Sequence, residues 1–224
     1  MAGAHKSYIF SLVPSSDAET AFAFHKQIAT NNSHIWPRDH DYIKQLAEDN
    51  CLYGVRRGES GEYVALCYAV LDETQHEWEL GGLVVEPSVQ KLGIGAVLAR
   101  FALANTMVFE QPWSTGDEII AYVHEANDDP RKLLGKLGFR HAGTIEVPSG
   151  AAPPGMKRNA DGNLVGDKFI FTLEGLEQLS KWFDEEFDGT LDHGKAAAQI
   201  RLNSLMSVEQ LKESLRDLAN RRRR

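Results

Sequence analysis

The chain has 224 residues, 42% of them hydrophobic and 25% charged, with a net charge of -8. That composition can bury a real core and suits one medium domain, or one domain with an appendage, rather than a disordered chain. The acidic balance opposes nucleic-acid partners, which need clustered Lys and Arg, and biases the surface toward cationic small molecules or basic peptides.

Met1 to Val13 carries one short apolar stretch. It is far below the roughly 20 residues of a membrane span and lacks a small-residue cleavage site, so no membrane anchor or signal peptide is expected. "SYIFSLVP" reads as a strand. Ser16-x-x-Glu19 has the form of a capping box, opening a helix with Ala18, Ala21, Phe22, His25 and Ile28 on one face. "HIWPRDHDYIKQLAEDN" gives a turn and a second, polar helix from about residue 39. "CLYGVRR", "EYVALCYAVL" and "HEWELGGLVVEP" follow as three strands, the first two joined by the turn "GESG". Cys51 and Cys67 lie in these runs without Cys-x-x-Cys spacing. They read as small buried apolar side chains of a protein in the reducing cytoplasm.

The stretch from Gly95 to Phe109 is almost solidly apolar and suits a helix packed on a sheet, and "EIIAYVHE" is a further strand. Asp129 can cap a helix with Pro130 at its first position, and Gly138 can close it. Phe139 to Val147 and "DKFIFTL" are the last two strands. Between them runs a Pro- and Gly-rich loop, Pro148 to Gly166, long enough to be functional. After Leu173 the pattern turns helical. Leu176, Leu179, Phe183 and Phe187 form one stripe, and a second helix capped by Ser207 and Gln210 carries Val208, Leu211, Leu215 and Leu218. Those stripes need a surface, on this domain or on a second copy as in a homodimer. Arg221 to Arg224 is the dense basic run and reads as a solvated tail. The eight histidines show no His-x-x-x-His spacing, so no metal site is expected.

The chemistry turns on "VVEPSVQKLGIGAVLARFAL", where a strand meets a helix through Gln90, Gly93 and Gly95. A glycine-rich turn there can leave backbone N–H groups bare at the positive end of the helix dipole, which suits an anion. Two phosphate-binding templates fail. The dinucleotide fingerprint needs a third glycine where Leu98 stands, and a P-loop needs Lys-Ser/Thr where Ala96 and Val97 stand. What remains is Leu83-Val-Val-x-Pro-x-x-Gln-x-x-Gly-x-Gly. This string resembles the coenzyme A pyrophosphate loop of the GNAT superfamily of N-acyltransferases. "NDDPRKLLGKLGF" resembles the family's later Asn-to-Gly-Phe motif, with Asn127, Gly138 and Phe139 in register. The element order agrees over about residues 7 to 174.

The resemblance implies an α/β GNAT fold: a mixed, mostly antiparallel central sheet flanked by helices, as an acetyltransferase domain over residues 1–174. Residues 175–224 would be a C-terminal helical extension with a basic tail. It implies an acetyl-CoA cosubstrate and no metal. The edge Leu83, Val84 and Val85 would pair with the pantetheine arm. Gln90, Lys91, Leu92, Gly93, Ile94, Gly95 and Ala96 would form the pyrophosphate loop, and Asn127 would help hold the coenzyme. Glu79 stands eleven residues before Gln90, the separation at which the histone-acetylating branch keeps its catalytic Glu. It is therefore expected as general base, with Glu77 on the same strand face and His76, His124 and Glu125 as alternatives. The usual proton donor, a Tyr seven residues after the motif Asn, is here Leu134, leaving Tyr122, Tyr68 or water. The acceptor amine would be met by His34, Trp36, Asp39, Asp41 and the Pro148 to Gly166 loop.

The implied function is direct N-acetylation of a primary amine, on a small molecule or a peptide. A coenzyme A-binding sensor or scaffold without turnover is the alternative. An acetyltransferase acting on aminoacyl-tRNA is a third reading, which the acidic charge opposes.

Overall fold

The computed structural model describes residues 7–59, 61–147, 156–191 and 198–222. The chain opens with β1 (Ser7–Leu12), α1 (Ala18–Thr30) and α2 (His40–Glu48), then β2 (Leu52–Arg57), β3 (Tyr63–Asp72) and β4 (Glu77–Val85). Next come α3 (Ile94–Asn105), the short α4 (Pro112–Thr115), β5 (Glu118–His124), α5 (Asp128–Lys136), β6 (Phe139–Val147) and β7 (Leu164–Phe171). The C-terminal part adds α6 (Leu173–Lys181), β8 (Thr190–Leu191), β9 (Ala198–Asn203) and α7 (Val208–Arg222).

The strands form one mixed sheet in the order β6-β7-β5-β4-β3-β2-β1-β9-β8. Its middle is antiparallel, and the β4–β5 and β1–β9 pairs are parallel. β3 is buried along most of its length because helices cover both faces. On one face α1 and α2 pack Ala21, Ile43 and Leu46 onto Leu66, Tyr68 and Val84. On the other, α3 lays Leu98, Phe101 and Leu103 over Cys67, Trp78 and Leu80. Strand alternation thus sends Trp78 and Leu80 to the α3 face and Glu77 and Glu79 to the opposite one.

Three local expectations change. The Ser16–Glu19 box does not form: Asp17 takes the N-cap position of α1 without a side-chain cap bond. Its carboxylate instead pairs with Arg56 and accepts from the Tyr63 hydroxyl at 3.2 Å, while Glu19 pairs with His40 at 2.8 Å. α5 starts at Asp128 with Asn127 as N-cap, earlier than the Asp129 cap predicted, although Gly138 (φ 83°) does close it. The C-terminal part holds strands as well as helices. β9 runs parallel to β1 with Tyr8 opposite Ile200 and Phe10 opposite Leu202, extending the sheet edge.

The capping box of α7 does form. Ser207 N–H donates to Gln210 Oε1 at 2.9 Å, and Gln210 N–H donates to Ser207 Oγ at 3.2 Å. Leu176, Phe183, Leu211 and Leu215 are fully buried and share one cluster with Phe101. Both apolar stripes therefore find cover within the chain. Residues 148–155 of the long loop and Arg223 and Arg224 of the basic run lie outside the described residues.

Candidate active site

β4 and β5 begin as a parallel pair and then part. Glu77 faces Glu118, Trp78 faces Ile119 and Glu79 faces Ile120, and there the pairing stops. β5 stays with β7 as far as His124 opposite Gly166. Among the described residues β4 has no strand neighbour on that side from Leu80 to Val85, so backbone polar groups along this edge, other than the Val85 carbonyl that Gln90 takes, are open to a ligand. A cavity of about 370 Å³ occupies the gap. Ala99 of α3, Leu133 and Leu134 of α5 and Leu137 just after it line it from one face of the sheet. Trp36, Arg38, Tyr68, Glu79 and Tyr122 line it from the other. The gap is thus a passage through the sheet, with an apolar side and a side that carries charge.

The loop after β4 is built to expose amides. Gln90 Nε2 donates back to the Val85 carbonyl at 3.0 Å, holding the loop against the strand it leaves. Lys91 (φ 65°) and Gly93 (φ 78°) turn the chain through the left-handed region, and Gly93 becomes the N-cap of α3. The first bond of the helix is Val97 N–H to the Gly93 carbonyl at 3.0 Å. The amides of Ile94, Gly95 and Ala96 precede it and have no intrahelical acceptor. They form the positively polarised end of the helix. Gly95 has an ordinary helical backbone, but an added Cβ would sit 3.2 Å from Val85 Cγ2. Glycine there lets α3 lie close on β4. Leu83 lines the cavity, Val84 turns into the α1–α2 core, and Leu92 and Ile94 anchor the loop in the α3 core. Asn127 lines the cavity and holds its turn with an N–H bond to the His124 carbonyl at 2.9 Å.

On the charged side, Glu79 Oε1 accepts from the Tyr68 hydroxyl at 2.7 Å and lies 3.5 Å from Arg38 Nη2. Arg38 also donates to the Tyr68 oxygen. Its guanidinium lies over the rings of Tyr42 and Tyr68, 4.8 and 5.4 Å from their centroids. Burial opposes the Arg38 charge, but Tyr68 and Glu79 more than restore it, and its pKa ends above the usual value. Burial and then the Glu79 charge push the Tyr68 phenol well above the usual range, with Arg38 acting the other way. Sequence reasoning did not single out Arg38. It lies between Trp36 and Asp39 in "HIWPRDHDY", where nothing but the fold shows that it turns inward.

Glu77 lies on the same face but is occupied. It pairs with Lys168 and accepts from Tyr122 at 3.3 Å. Burial and then Glu77 push Tyr122 up to about 12. Among the alternative bases, His124 is fully engaged. Its Nδ1 accepts from Ala126 N–H at 3.0 Å, so Nε2 carries the proton and donates to the Lys157 carbonyl at 2.8 Å. His76 sits on the β3–β4 turn against Asp117, at the end of β4 remote from the gap. Glu125 uses its N–H to bond Val165. Neither His76 nor Glu125 lines the cavity. Of the expected acceptor-site residues, His34 and Trp36 line the cavity and Asp39 and Asp41 do not. Asp39 caps α2 by accepting from Tyr42 N–H at 2.8 Å. Leu134 is buried and reaches the cavity with an aliphatic side chain. Among the described residues no three His, Cys, Asp or Glu side chains come together as a metal site, and no helix is long and apolar enough to cross a membrane.

A sequence profile described as the acetyltransferase (GNAT) family matches residues 21–139. Among curated proteins none matches the chain. Solved structures resemble it across most of both lengths. The ribosomal-protein-S18-alanine N-acetyltransferase from Escherichia coli superposes with a TM-score of 0.52 at 17% identity, covering 73% of this chain and 92% of that one. A spermidine N-acetyltransferase chimera involving Vibrio cholerae gives 0.53 at 14%, covering 76% and 98%. A chain of the NatC complex bound to Gag peptide and CoA gives 0.55 at 15%, covering 74% and 98%. At these identities the likeness concerns the fold, and it agrees with the profile match over more than half of the chain. The protein belongs to the GNAT acetyltransferase family and is an acyltransferase.

Proposed function

We propose that the protein transfers the acetyl group of acetyl-CoA to a primary amine by direct attack within a ternary complex. The observation that carries this reading is the passage between β4 and β5, which brings a bare strand edge and Glu79 into one cavity. Acetyl-CoA fits what the chain offers. The amides from Lys91 to Ala96 would take the pyrophosphate, with Gln90, Leu92, Gly93, Ile94 and Gly95 shaping the loop. The backbone of Leu83, Val84 and Val85 would pair with the pantetheine arm, and Asn127 faces the same channel.

An amine enters mostly protonated at neutral pH and must lose a proton before it attacks. Glu79, on the side of the gap opposite α5, would take that proton. Tyr68 and Arg38 hold its Oε1, which leaves Oε2 for a water or the amine itself. Glu79 passes that first proton to solvent; the nitrogen then forms a bond to the thioester carbonyl carbon, the carbon–sulfur bond breaks, and the second nitrogen proton passes to the freed Glu79 carboxylate. β4 amides would stabilise the developing oxyanion. The thiolate takes a proton from solvent, because Leu134 has none to give and the Tyr122 hydroxyl is directed at Glu77. The free thiols Cys51 and Cys67 support a reducing, cytoplasmic setting.

Leu134 is also the observation that favours the second reading, a coenzyme A-binding scaffold without turnover. One experiment separates them: isolate the protein, identify any bound coenzyme A by mass, and measure thiol release from acetyl-CoA with a panel of primary amines. Amine-dependent release establishes acetyl transfer. Tight coenzyme A binding with no release for any amine establishes the scaffold.

A further inference from the structure

We infer that the acceptor is a monoamine carried on an apolar or aromatic skeleton, and that polyamines and other polycations are poor substrates. The inference rests on the acetyl-transfer reading above. Its first support is the wall of the cavity on the Glu79 side. Trp36, Val147, Met156 and Leu164 form an apolar cluster of their own, separate from both main cores. Met156 and Leu164 are nearly buried, while Trp36 keeps part of its surface open to the cavity. Ile35 and Ile145 continue the same lining. Such a wall gains free energy only by removing apolar surface from water, at about 25 cal/mol per Å². A second or third ammonium laid against it would lose hydration without a partner.

The second support is the charge count. Among the described residues that line the cavity, Glu79 is the single carboxylate, and Arg38 stands 3.5 Å from it. The pair carries no net charge. His34, at the same mouth, has its pKa lowered by burial and then by His124 and Lys157, so it brings no negative charge to the site. Lys157 adds positive potential. A polycation needs several carboxylates along its length, and this cavity offers none beyond the one required for proton removal. The acidic balance of the whole chain is not concentrated here. One ammonium fits beside Glu79 Oε2, and the rest of the molecule meets Trp36 and Met156.

The test uses the full chain and initial rates at saturating acetyl-CoA for 2-phenylethylamine, isoamylamine, spermidine and a lysine-containing peptide. The two apolar amines should exceed spermidine in kcat/KM by about tenfold or more, the scale on which an apolar pocket discriminates. Trp36→Ala should raise KM for 2-phenylethylamine by about tenfold and leave acetyl-CoA affinity unchanged. Trp36→Glu, which adds a carboxylate to the wall, should shift the ratio toward spermidine. A wild-type preference for spermidine or the peptide would overturn the inference while leaving acetyl transfer intact, as would equal losses for all amines in Trp36→Ala. Coenzyme A binding with no turnover of any amine would overturn both together.

Discussion

Tyr68 donates its hydroxyl to Glu79 Oε1 at 2.7 Å across a stretch of β4 that has no side chains at Gly81 and Gly82. The β3–β4 register shifts at this point, between Leu66 and Tyr68. Gly82 has φ 60°, and a Cβ on either glycine would overlap the Tyr68 side chain. The bulge and the glycine pair therefore make the space in which phenol, guanidinium and carboxylate meet. Bulges commonly re-aim a side chain next to a site in this way.

Replacing Gly82 by Ala tests that relationship. A left-handed backbone costs an L-residue about 1–2 kcal/mol before any overlap with the ring is counted. Gly82→Ala should destabilise the fold by about 1–3 kcal/mol in urea unfolding and lower kcat, because Tyr68 can no longer hold Glu79 in place. Wild-type stability and turnover in this variant would show that the glycine pair has no part in positioning the Glu79 carboxylate.

Glu79→Gln keeps the size of the side chain and its bond from Tyr68 but removes the proton acceptor. A general base contributes about 100- to 10,000-fold, so kcat/KM for the amine should fall at least about tenfold. Acetyl-CoA affinity should change little. The deficit should shrink as pH rises, since free amine accumulates without help. The measurement is kcat/KM against pH for both proteins at saturating acetyl-CoA. Superimposable profiles would remove Glu79 from the mechanism, and suspicion would move to Glu77 rather than His124, whose two ring nitrogens are both engaged.

Acetyl-CoA should raise the melting temperature, since it binds only the native state. Gly95→Val should remove that gain. Its side chain would press on Val85 Cγ2, 3.2 Å from where the Cβ would lie, and push α3 and its exposed amides off β4. The variant is also expected to lose some stability without ligand, so the informative quantity is the ligand-induced shift and not the starting temperature. A shift as large as that of wild type would place the pyrophosphate elsewhere.

The parts of this protein that were legible in the sequence are those whose signal is local. The alternation through β3 and β4, the Ser207–Gln210 box, Gly138 at the end of α5 and the loop from Gln90 to Gly95 each depend on residues near one another in the chain. β9 was hidden although "AQIRLN" alternates properly, with Ala198 and Ile200 inward and Gln199 and Arg201 outward. Six residues among helical stripes do not show a strand until β1 is seen to need a neighbour. Arg38 was hidden for a similar reason. Its role depends on Tyr68 and Glu79, 30 and 41 positions further along, and a single arginine beside a proline carries no mark of direction. The Ser16–Glu19 box did not form because the helix starts one residue later, with Asp17 at the N-cap, and Glu19 is drawn to His40, 2.8 Å away on α2.

His25 gives a prediction about pH. It is 2% exposed on α1, and neither ring nitrogen has a hydrogen-bond partner among the described residues. Burial first, and then Arg38, lowers its pKa from 6.5 to about 4. The native state therefore keeps this ring neutral at pH values where the unfolded chain has already protonated it. Between about pH 6.5 and 4 the unfolded state binds more protons, so this group makes stability fall as pH falls, and it contributes no slope above that window. At about 1.4 kcal/mol for each pH unit between the two values, the whole window is worth about 3 kcal/mol. Carboxylates titrate in the same range, so the useful quantity is the difference between wild type and His25→Leu. Leucine fills a similar volume without two unpaired polar atoms, each of which costs about 1–3 kcal/mol when buried. The variant should be the more stable protein at pH 7, and its advantage should widen steadily toward pH 4.5 in urea titrations. A constant difference at every pH would mean that His25 is equally charged, or equally neutral, in both states.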